Sequence, residues 1–325
     1  MEALNETRLT PGIHCGEIVR TRAVDVMLAA LPLLAWSWWR NGARTLTVAV
    51  LCVLFAVGWE AGYEWLMHRR VTVSDLTAAC EGLLFALLLP VTVPLWMIPL
   101  GTLFGIVVCK CLPGGSGRQI VSPSLGGAAL LTLLFRDKMV CFAAPRTSPA
   151  VFSFAPEGEV QGSLLRQMWD NPLPGGVSEK NLLLGDLPGV IGALSPILLV
   201  LALLWLLVRR WAHIEQALFF VLPVALVSLL LPPAGLASDA MLIRYMLYQL
   251  CSGTLLLTAI LPFADCACAP SSTRLRALCA LAAGGVTVLL RRYSVFEEGA
   301  VFGAVLVQAA YSGILLLKYR RKKEK

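Results

Sequence analysis

Long uncharged stretches are the feature that most constrains the fold of this 325-residue chain. A helix needs roughly 20 residues to cross a hydrocarbon core of about 30 Å. Four stretches are close to that length: 187–208, 217–238, 245–264 and 299–317. A fifth, 82–109, is longer and contains three prolines, so we expect two helices there. Because lipid offers the backbone no hydrogen-bond partners, such spans must be helical.

The composition agrees with a membrane protein. The chain is 58% hydrophobic and 14% charged, whereas about a quarter of the residues in soluble domains are charged. Its mean hydropathy is +0.75. Shorter apolar stretches would form tilted spans or re-entrant half-helices; they lie at 26–39, 45–59, 119–135 and 277–290. We therefore predict an all-α polytopic membrane protein with about eight to ten transmembrane or re-entrant helices.

Basic residues indicate the orientation. The net charge of +7 comes from short clusters at the ends of apolar stretches, which does not suggest nucleic-acid binding. Such clusters usually mark cytoplasmic loops; they lie at 68–70, 209–210, 291–292 and 318–325. We expect a cytoplasmic C-terminus. Arg40 and Arg44 fit this rule less well, and we expect no cleavable signal peptide in the polar segment 1–22.

Two similar segments suggest an internal duplication. CEGLLFALLLP (80–90) and CSGTLLLTAILP (251–262) share a cysteine, a glycine, a leucine-rich stretch and a closing proline. Transporter-like folds often contain duplicated halves with broken helices. We predict a two-repeat bundle divided into a first membrane half (1–135), an extramembrane loop (136–186), a second membrane half (187–318) and a basic cytoplasmic tail (319–325).

The ten cysteines do not predict a metal site. Several lie within apolar stretches, where a free cysteine behaves as a small hydrophobic residue. The pairs Cys109/Cys111 and Cys266/Cys268 lack the usual C-x-x-C spacing of metal ligands.

An ordered set of motifs resembles the RnfD/NqrB family of membrane flavoproteins, and RnfD more closely. VTVSDLTAACEGLLFALLLPVTVPLWMIPLGTLFGIVVCKCLPGGSGRQIVSPSLGGA (71–128) has an aspartate before a Gly-Leu-Leu run, a Pro-x-x-x-Pro-x-Trp turn and a GG-x-G turn. LLLGDLPGVIGALSP (182–196), PFADCACAP (262–270) and VLLRRYSVFEEGAVFGAVLVQ (288–308) resemble later family motifs in the same order. Together these matches cover most of the chain from about residue 10 to 310.

The resemblance implies a function. RnfD-like proteins belong to the Rnf complex of the bacterial inner membrane, which couples electron flow between ferredoxin and NAD to Na⁺ or H⁺ movement. The partners implied are the other Rnf subunits (RnfA, RnfB, RnfC, RnfE and RnfG), the lipid bilayer and a flavin transferase. An RnfD-like chain would carry FMN and relay electrons, and it would not be a complete enzyme by itself. No catalytic residue is predicted.

The family attaches FMN through its phosphate to a threonine in a DG-x-x-x-ATPL motif. The corresponding stretch here is EGEVQGSLL (157–165), so Ser163 takes the place of that threonine. A serine hydroxyl offers the same phosphoester chemistry, although Gly162 and Leu164 replace the neighbouring alanine and proline. Arg166 would pair with the phosphate. By the family pattern, the 136–186 loop would be extracytoplasmic.

Other motif positions would contact the flavin. The resemblance places the glycine turn of Gly114, Gly115 and Gly117, together with Arg118, near the cofactor; the alternative is a tight turn between two membrane segments. Asp265 matches the aspartate of the family's MATD motif. Departures elsewhere, Ala193 for a glutamate and Gln308 for an asparagine, also suggest a flavin-free assembly subunit as a second reading.

Two further interpretations come from the residues alone. Repeats and broken helices also fit a channel or carrier for a small solute. Glu60 and Glu64 lie four residues apart, on one helix face. We interpret them first as salt-bridged groups near the membrane interface and second as part of an ion path.

Overall fold

The computed structural model describes residues 13–68, 73–115, 117, 119–144, 151–152, 160–174, 178–233, 239–263, 270, 272–294 and 298–323. Across these residues the chain is almost entirely helical, which confirms the predicted all-α polytopic membrane fold. The strands found in this part are two short segments, Phe142–Ala143 (β1) and Val160–Gln161 (β2), which pair antiparallel.

The first membrane region contains five helices. They are α1 (Ile13–Asn41), α2 (Arg44–Leu66), α3 (Thr77–Leu87), α4 (Met97–Leu103) and α5 (Pro123–Leu134). A 3₁₀ turn, Val73–Asp75, precedes α3, and α4 continues as a π-helix over Phe104–Cys111. Serine followed by proline begins α5, with Pro123 in its first turn, where the missing N–H costs nothing.

Short helices connect this region to the second one. The connecting helices are α6 (Arg136–Met139), α7 (Leu164–Asp170) and α8 (Glu179–Leu184), followed by a 3₁₀ turn at Ile191–Ala193. The later helices are α9 (Pro196–Val208), α10 (Ile214–Leu230), α11 (Asp239–Cys251), α12 (Leu255–Ile260), α13 (Thr273–Tyr293) and α14 (Gly299–Lys323). Helices α2 and α13 are each long and apolar enough to cross a membrane.

The break predicted within 82–109 is confirmed. Helix α3 ends at Leu87, and α4 begins at Met97. The buried Arg44 guanidinium crosses the break and donates to the carbonyls of Val91 (2.8 Å) and Val93 (3.0 Å). This side chain satisfies backbone groups that have no helical partner, as non-helical backbone at membrane depth requires.

Two predicted single spans are wrong. In 187–208 the helix begins only at Pro196; the residues before it form an irregular segment in which Ile191 N donates to Leu89 O. In 245–264 the chain breaks between α11 and α12, where Gly253 has φ +69°. Both interruptions lack charge, so hydropathy does not reveal them. Helix α14 also continues to Lys323, into the predicted tail.

Helices pack closely through small residues, as is common in membranes. A Cβ added to Gly284 of α13 would lie 2.2 Å from the backbone oxygen of Phe220 in α10. A Cβ on Gly303 of α14 would lie 2.7 Å from Ala283 O in α13. Large leucines such as Leu218 and Leu278 remain more than half exposed on the outer faces of these helices, where lipid would cover them.

The two similar segments behave alike at their ends. Helix α3 ends three residues before Pro90, and α12 ends two residues before Pro262. In each region a carboxylate also accepts an N–H at the start of a helix: Glu81 from Ser124 (3.1 Å) and Glu298 from Thr254 (2.8 Å). The duplication and its four-part division stay predictions.

Candidate functional site

Ser163 is the N-cap residue of α7. Its Oγ accepts the backbone N–H of Arg166 at 3.1 Å, as capping serines do. The Ser163 side chain is buried, whereas Gln161 and Gly162 immediately before it are exposed. The segment that resembles the attachment motif therefore reaches the protein surface at the residue just before its hydroxyl.

Apolar contacts hold α7 against the membrane helices. Leu164 and Met168 form a buried cluster with Leu182 of α8 and Tyr248 of α11. Leu165 packs beside the break between α11 and α12, because a Cβ on Gly253 would lie 2.8 Å from its Cδ1. The position of Ser163 is thus fixed relative to α11.

A cavity of about 500 Å³ lies beside α7. Met168, five residues after Ser163, contributes to its wall. The opposite walls come from α10, α11 and α13, and they combine apolar side chains with a few polar ones; the lining residues include Val224, Val227, Leu231, Tyr245, Gln249, Val288, Arg291 and Arg292. Cofactor sites typically have this size and this mixture of side chains.

Arg291 is the buried cation of the cavity. Its Nη1 donates to Gln249 O (2.7 Å), and its Nη2 donates to Ser252 O (3.3 Å), so it satisfies carbonyls at the end of α11. Its Nε has no hydrogen-bond partner among the described residues. Buried donors are rarely left unpaired, so this N–H is suited to an acceptor on a ligand in the cavity.

The glycine turn lies at the other end of the molecule. Gly114 and Gly115 have φ values of +129° and +96°, which favour glycine, and their N–H groups close the π-helix by donating to Cys111 O and Lys110 O. Ser312 of α14 donates to Ile120 O beside this turn.

Glu298, just before α14, lies at the opposite end, next to Gly253 and Leu165. The two ends are therefore separated by about 21 Å of α14. The structure does not bring the glycine turn, including Gly117, to Ser163, and the turn is not part of the Ser163 site.

Arg118 and Asp265, also predicted at the site, lie outside the described residues. Arg166 is exposed at the start of α7, beside Gly162. In the part of the chain that the structure describes, no group of three or more His, Cys, Asp or Glu side chains is arranged to hold a metal ion.

Sequence reasoning missed the cavity residues. It assigned Arg291 and Arg292 to a cytoplasmic cluster, yet Arg291 is buried and Arg292 donates to Leu231 O. Both line a cavity at the Ser163 end of the molecule. Arg291 lies within the quoted segment 288–308, so that match was the signal that could have identified it. Tyr245 and Gln249 have no comparable signal, because they come from an uncharged stretch.

Known proteins resemble the chain over nearly its whole length. It is 26% identical over 313 residues to the D subunit of the Na(+)-translocating ferredoxin:NAD(+) oxidoreductase complex of Acetobacterium woodii, covering 94% of this chain and 92% of that protein. It is 25% identical to the proton-translocating counterpart of Clostridium ljungdahlii, covering 92% and 90%. It is 29% identical to the D subunit of the ion-translocating oxidoreductase complex of Stutzerimonas stutzeri, covering 88% and 86%.

The match to a family model is equally extensive. Residues 6–321 fit the model of the NQR2, RnfD, RnfE family. This range includes both membrane regions and the loop that carries Ser163. The helical membrane fold described above agrees with this match, and the chain therefore belongs to the NQR2, RnfD, RnfE family.

Proposed function

We propose that this chain is the RnfD component of an Rnf-type electron transport complex and that it carries FMN esterified through its phosphate to Ser163. It would relay electrons between the ferredoxin and NAD branches of a complex that moves Na⁺ or H⁺. The observation that carries this proposal is the position of Ser163, at the start of a short helix that forms one wall of a 500 Å³ cavity. The names of the similar proteins support the assignment to a complex.

The cavity fits a flavin. Met168 lies about 7–8 Å beyond Ser163 along the helix axis, a distance that an extended ribityl chain bridges. The isoalloxazine ring has apolar faces and a polar edge, and the cavity offers apolar walls at Val224 and Val288 and the unpaired donor Arg291 Nε. When bound, FMN would supply electron transfer in steps of one or two.

The side chains around the cavity would position and tune the group. Arg291 and Arg292 place positive charge at one wall, which favours a ligand that gains electron density. Arg291 is held by Gln249 O and Ser252 O, so its direction is fixed before a ligand binds. Val227 and Leu231 add apolar surface to the cavity wall. The chain would thus hold the flavin in place and set its reduction potential, and it would not catalyse a complete reaction by itself.

Partner subunits and location follow from the same proposal. The chain would assemble with RnfA, RnfB, RnfC, RnfE and RnfG in the bacterial inner membrane, after modification by a flavin transferase. Three basic residues at the Ser163 end are used in internal contacts: Arg40 pairs with Asp186, and Arg44 and Arg291 bind carbonyl oxygens. They therefore do not count as a cytoplasmic signal.

Other basic groups lie at the opposite end. Arg209 pairs with Asp25 of α1 at 2.9 Å, and Asp25 is about 16 Å along α1 from Trp36, which contacts Leu184 at the Ser163 end. The basic C-terminal end of α14 follows Ser312, beside the glycine turn. By the positive-inside rule, the basic C-terminal end would be cytoplasmic and the Ser163 end extracytoplasmic.

Replacing Ser163 tests the flavin attachment. We expect in-gel fluorescence of the denatured chain, coexpressed with a flavin transferase, to be lost completely in Ser163→Ala and retained in Ser163→Thr, because the ester needs a hydroxyl at this position. Ser178→Ala is the matched control. Ser178 also occupies the N-cap position of a short loop helix, α8, but its side chain is exposed and makes no capping hydrogen bond.

A fluorescent Ser163→Ala band would contradict the attachment site. A dark wild-type band, with the complex still assembled, would favour the flavin-free assembly role instead.

Cys141 tests the orientation. Burial, and secondarily Asp137, raises the pKa of the Cys141 thiol, so its reactive thiolate is scarce at neutral pH. We expect a membrane-impermeant maleimide to label Cys141 in right-side-out vesicles. The labelling rate should continue to increase with pH beyond the range in which an ordinary thiol is already ionised. Peptide mass spectrometry locates the label, and Cys141→Ser is the control. Labelling only in inside-out vesicles would place the loop in the cytoplasm.

A further inference from the structure

An apolar groove lies on the outer surface between α1 and α9. Its volume is about 510 Å³, and its lining residues are all apolar; they come from segments 28–32 of α1 and 201–208 of α9. The buried Ala29 and Ala202 form its floor, and larger exposed side chains form its sides. The groove is therefore shaped by the packing of the first membrane region against the second, and it opens toward the lipid.

The dimensions of the groove match one leaflet of a bilayer. Its lining residues on α9 run from Leu201 to Val208, which is roughly 10 Å along the helix axis. The hydrocarbon part of one leaflet is about 15 Å thick. Arg209 directly follows Val208, at the basic end of the molecule. A molecule in this groove would therefore have its apolar part within one leaflet and its other end beside Arg209.

An arginine is held in place at the polar end of the groove. Asp25, one turn before Leu28 on α1, accepts hydrogen bonds from Arg209 Nε at 2.9 Å and from Trp211 Nε1 at 2.6 Å. The Asp25 side chain is 3% exposed and that of Arg209 is 45% exposed. Within the part of the chain that the structure describes, the guanidinium donates through Nε only. Nη1 and Nη2 are therefore available to an acceptor from outside the chain, and a phosphate is the acceptor that such a fork fits best.

The charge at this end of the groove is positive. Asp25 balances the charge of Arg209, and the next residue, Arg210, is exposed and adds a further positive charge. Trp211 lies beside the pair, and tryptophan is enriched at the level of the lipid headgroups. An apolar groove that ends in net positive charge is complementary to a lipid with a net negative headgroup.

We propose that the groove between α1 and α9 binds one anionic phospholipid. An acyl chain lies along α9, and the headgroup phosphate accepts hydrogen bonds from Arg209 Nη1 and Nη2. Because α1 and α9 belong to the two membrane regions, the bound lipid stabilises the contact between those regions. This site does not depend on Ser163 or on FMN, which would bind at the opposite end, and it goes beyond the proposed electron relay.

A helix of a partner subunit fits the groove less well than a lipid does. Close helix contacts in membranes use small residues, as Gly284 and Gly303 do within this chain. The sides of the groove instead carry large side chains such as Leu201, Leu204 and Trp205. A membrane helix is also about 30 Å long, roughly three times the length of the groove along α9.

Native mass spectrometry of the purified full chain tests the charge preference. The chain in detergent would receive equal amounts of phosphatidylglycerol and phosphatidylethanolamine with the same acyl chains. We expect phosphatidylglycerol adducts to predominate. Arg209→Gln keeps a donor for Asp25 but removes the guanidinium, so it should weaken phosphatidylglycerol binding by about tenfold or more. Arg274→Gln, at an exposed arginine in the first turn of α13, should leave binding unchanged.

A second pair of variants tests the groove itself. Leu204→Trp adds bulk at an exposed side of the groove, so it should reduce the adducts of both lipids without disturbing the core. Leu218→Trp, on the outer face of α10, is the matched control and should bind as the wild type does. Equal binding of the two lipids by the wild type, or undiminished binding by both Arg209→Gln and Leu204→Trp, would overturn the proposal.

Photocrosslinking in intact membranes separates the lipid from a protein occupant. A benzophenone amino acid in place of Leu204 should become attached to phospholipid, as a mass increase on the peptide that contains it. Attachment to another polypeptide as the main product would show that a partner helix fills the groove, and it would overturn the proposal.

Discussion

Gly284→Ala is expected to prevent the chain from folding stably. The added Cβ would lie 2.2 Å from Phe220 O and 3.0 Å from Pro223 Cγ. The first of these is a backbone atom inside α10, so neither partner moves without separating α10 from α13. Overpacking usually costs about 1–3 kcal/mol, and a clash with fixed backbone belongs at or above the upper end of that range.

Gly285→Ala is the matched control. It is the next residue of the same helix, and a Cβ there meets nothing within 4 Å. Both substitutions raise helix propensity equally, so propensity cannot explain a difference. We expect fluorescence-detected size exclusion to show loss of the monodisperse peak for Gly284→Ala only. Equal thermal midpoints for the two variants would contradict the close packing of α10 on α13.

Arg44→Met is expected to have the second largest effect. Arg44 is 0% exposed and donates to two carbonyls in the break between α3 and α4. Methionine fills much of the volume but leaves both oxygens without this donor. Hydrogen bonds to charged groups contribute about 1.5–3 kcal/mol each, so the loss should be about 3 kcal/mol or more.

The comparison with Arg44→Lys separates charge from geometry. Lysine keeps the charge but lacks the planar fork that reaches two oxygens, so it should recover part of the stability. Arg20→Met, at an exposed position of α1, should leave the unfolding midpoint unchanged. An Arg44→Met variant as stable as the wild type in detergent would show that the break does not depend on this side chain.

These contacts explain how much of the fold the sequence predicts. Uncharged length predicts helices, and the prolines of 82–109 correctly indicate a break. Uncharged length reveals neither the segment at 187–195 nor the interruption at Gly253. Some backbone groups there are satisfied by partners far away in sequence, such as Leu89 O for Ile191 N. Arg40, Arg44 and Arg291 are misleading when basic residues are counted to predict the membrane orientation, because their side chains bind a carboxylate or carbonyl oxygens inside the protein.

The candidate site is predictable only in part. Ser163 was identified by its motif, because the proposed attachment would depend on a local sequence that a transferase recognises. The cavity next to it is assembled from α7, α10, α11 and α13, and its lining residues are spread over positions 168 to 294. No local pattern indicates that Met168 and Arg291 share a wall. The glycine turn shows the converse error, since a motif near Ser163 by family resemblance lies about 21 Å away along α14.

The structure separates the Ser163 end from the glycine-turn end. The Ser163 end combines the hydroxyl proposed for FMN attachment, a cavity and the buried Arg291, an arrangement that would suit an electron carrier. At the glycine-turn end, Glu60 of α2 pairs with Lys110 of the π-helix, whose Nζ lies 2.7 Å from Glu60 Oε1, and not with the basic residues that follow α2. Helix α14 spans both ends, from Glu298 beside Gly253 to Ser312 beside Ile120.

Mass spectrometry of the peptide that contains Ser163 tests the central claim most directly. The chain would be purified from membranes that contain a flavin transferase, digested, and fragmented to locate any modification. We predict a mass increase of one FMN minus one water, located on Ser163. An unmodified Ser163 peptide at full yield, from a complex that is assembled and transfers electrons, would contradict the claim.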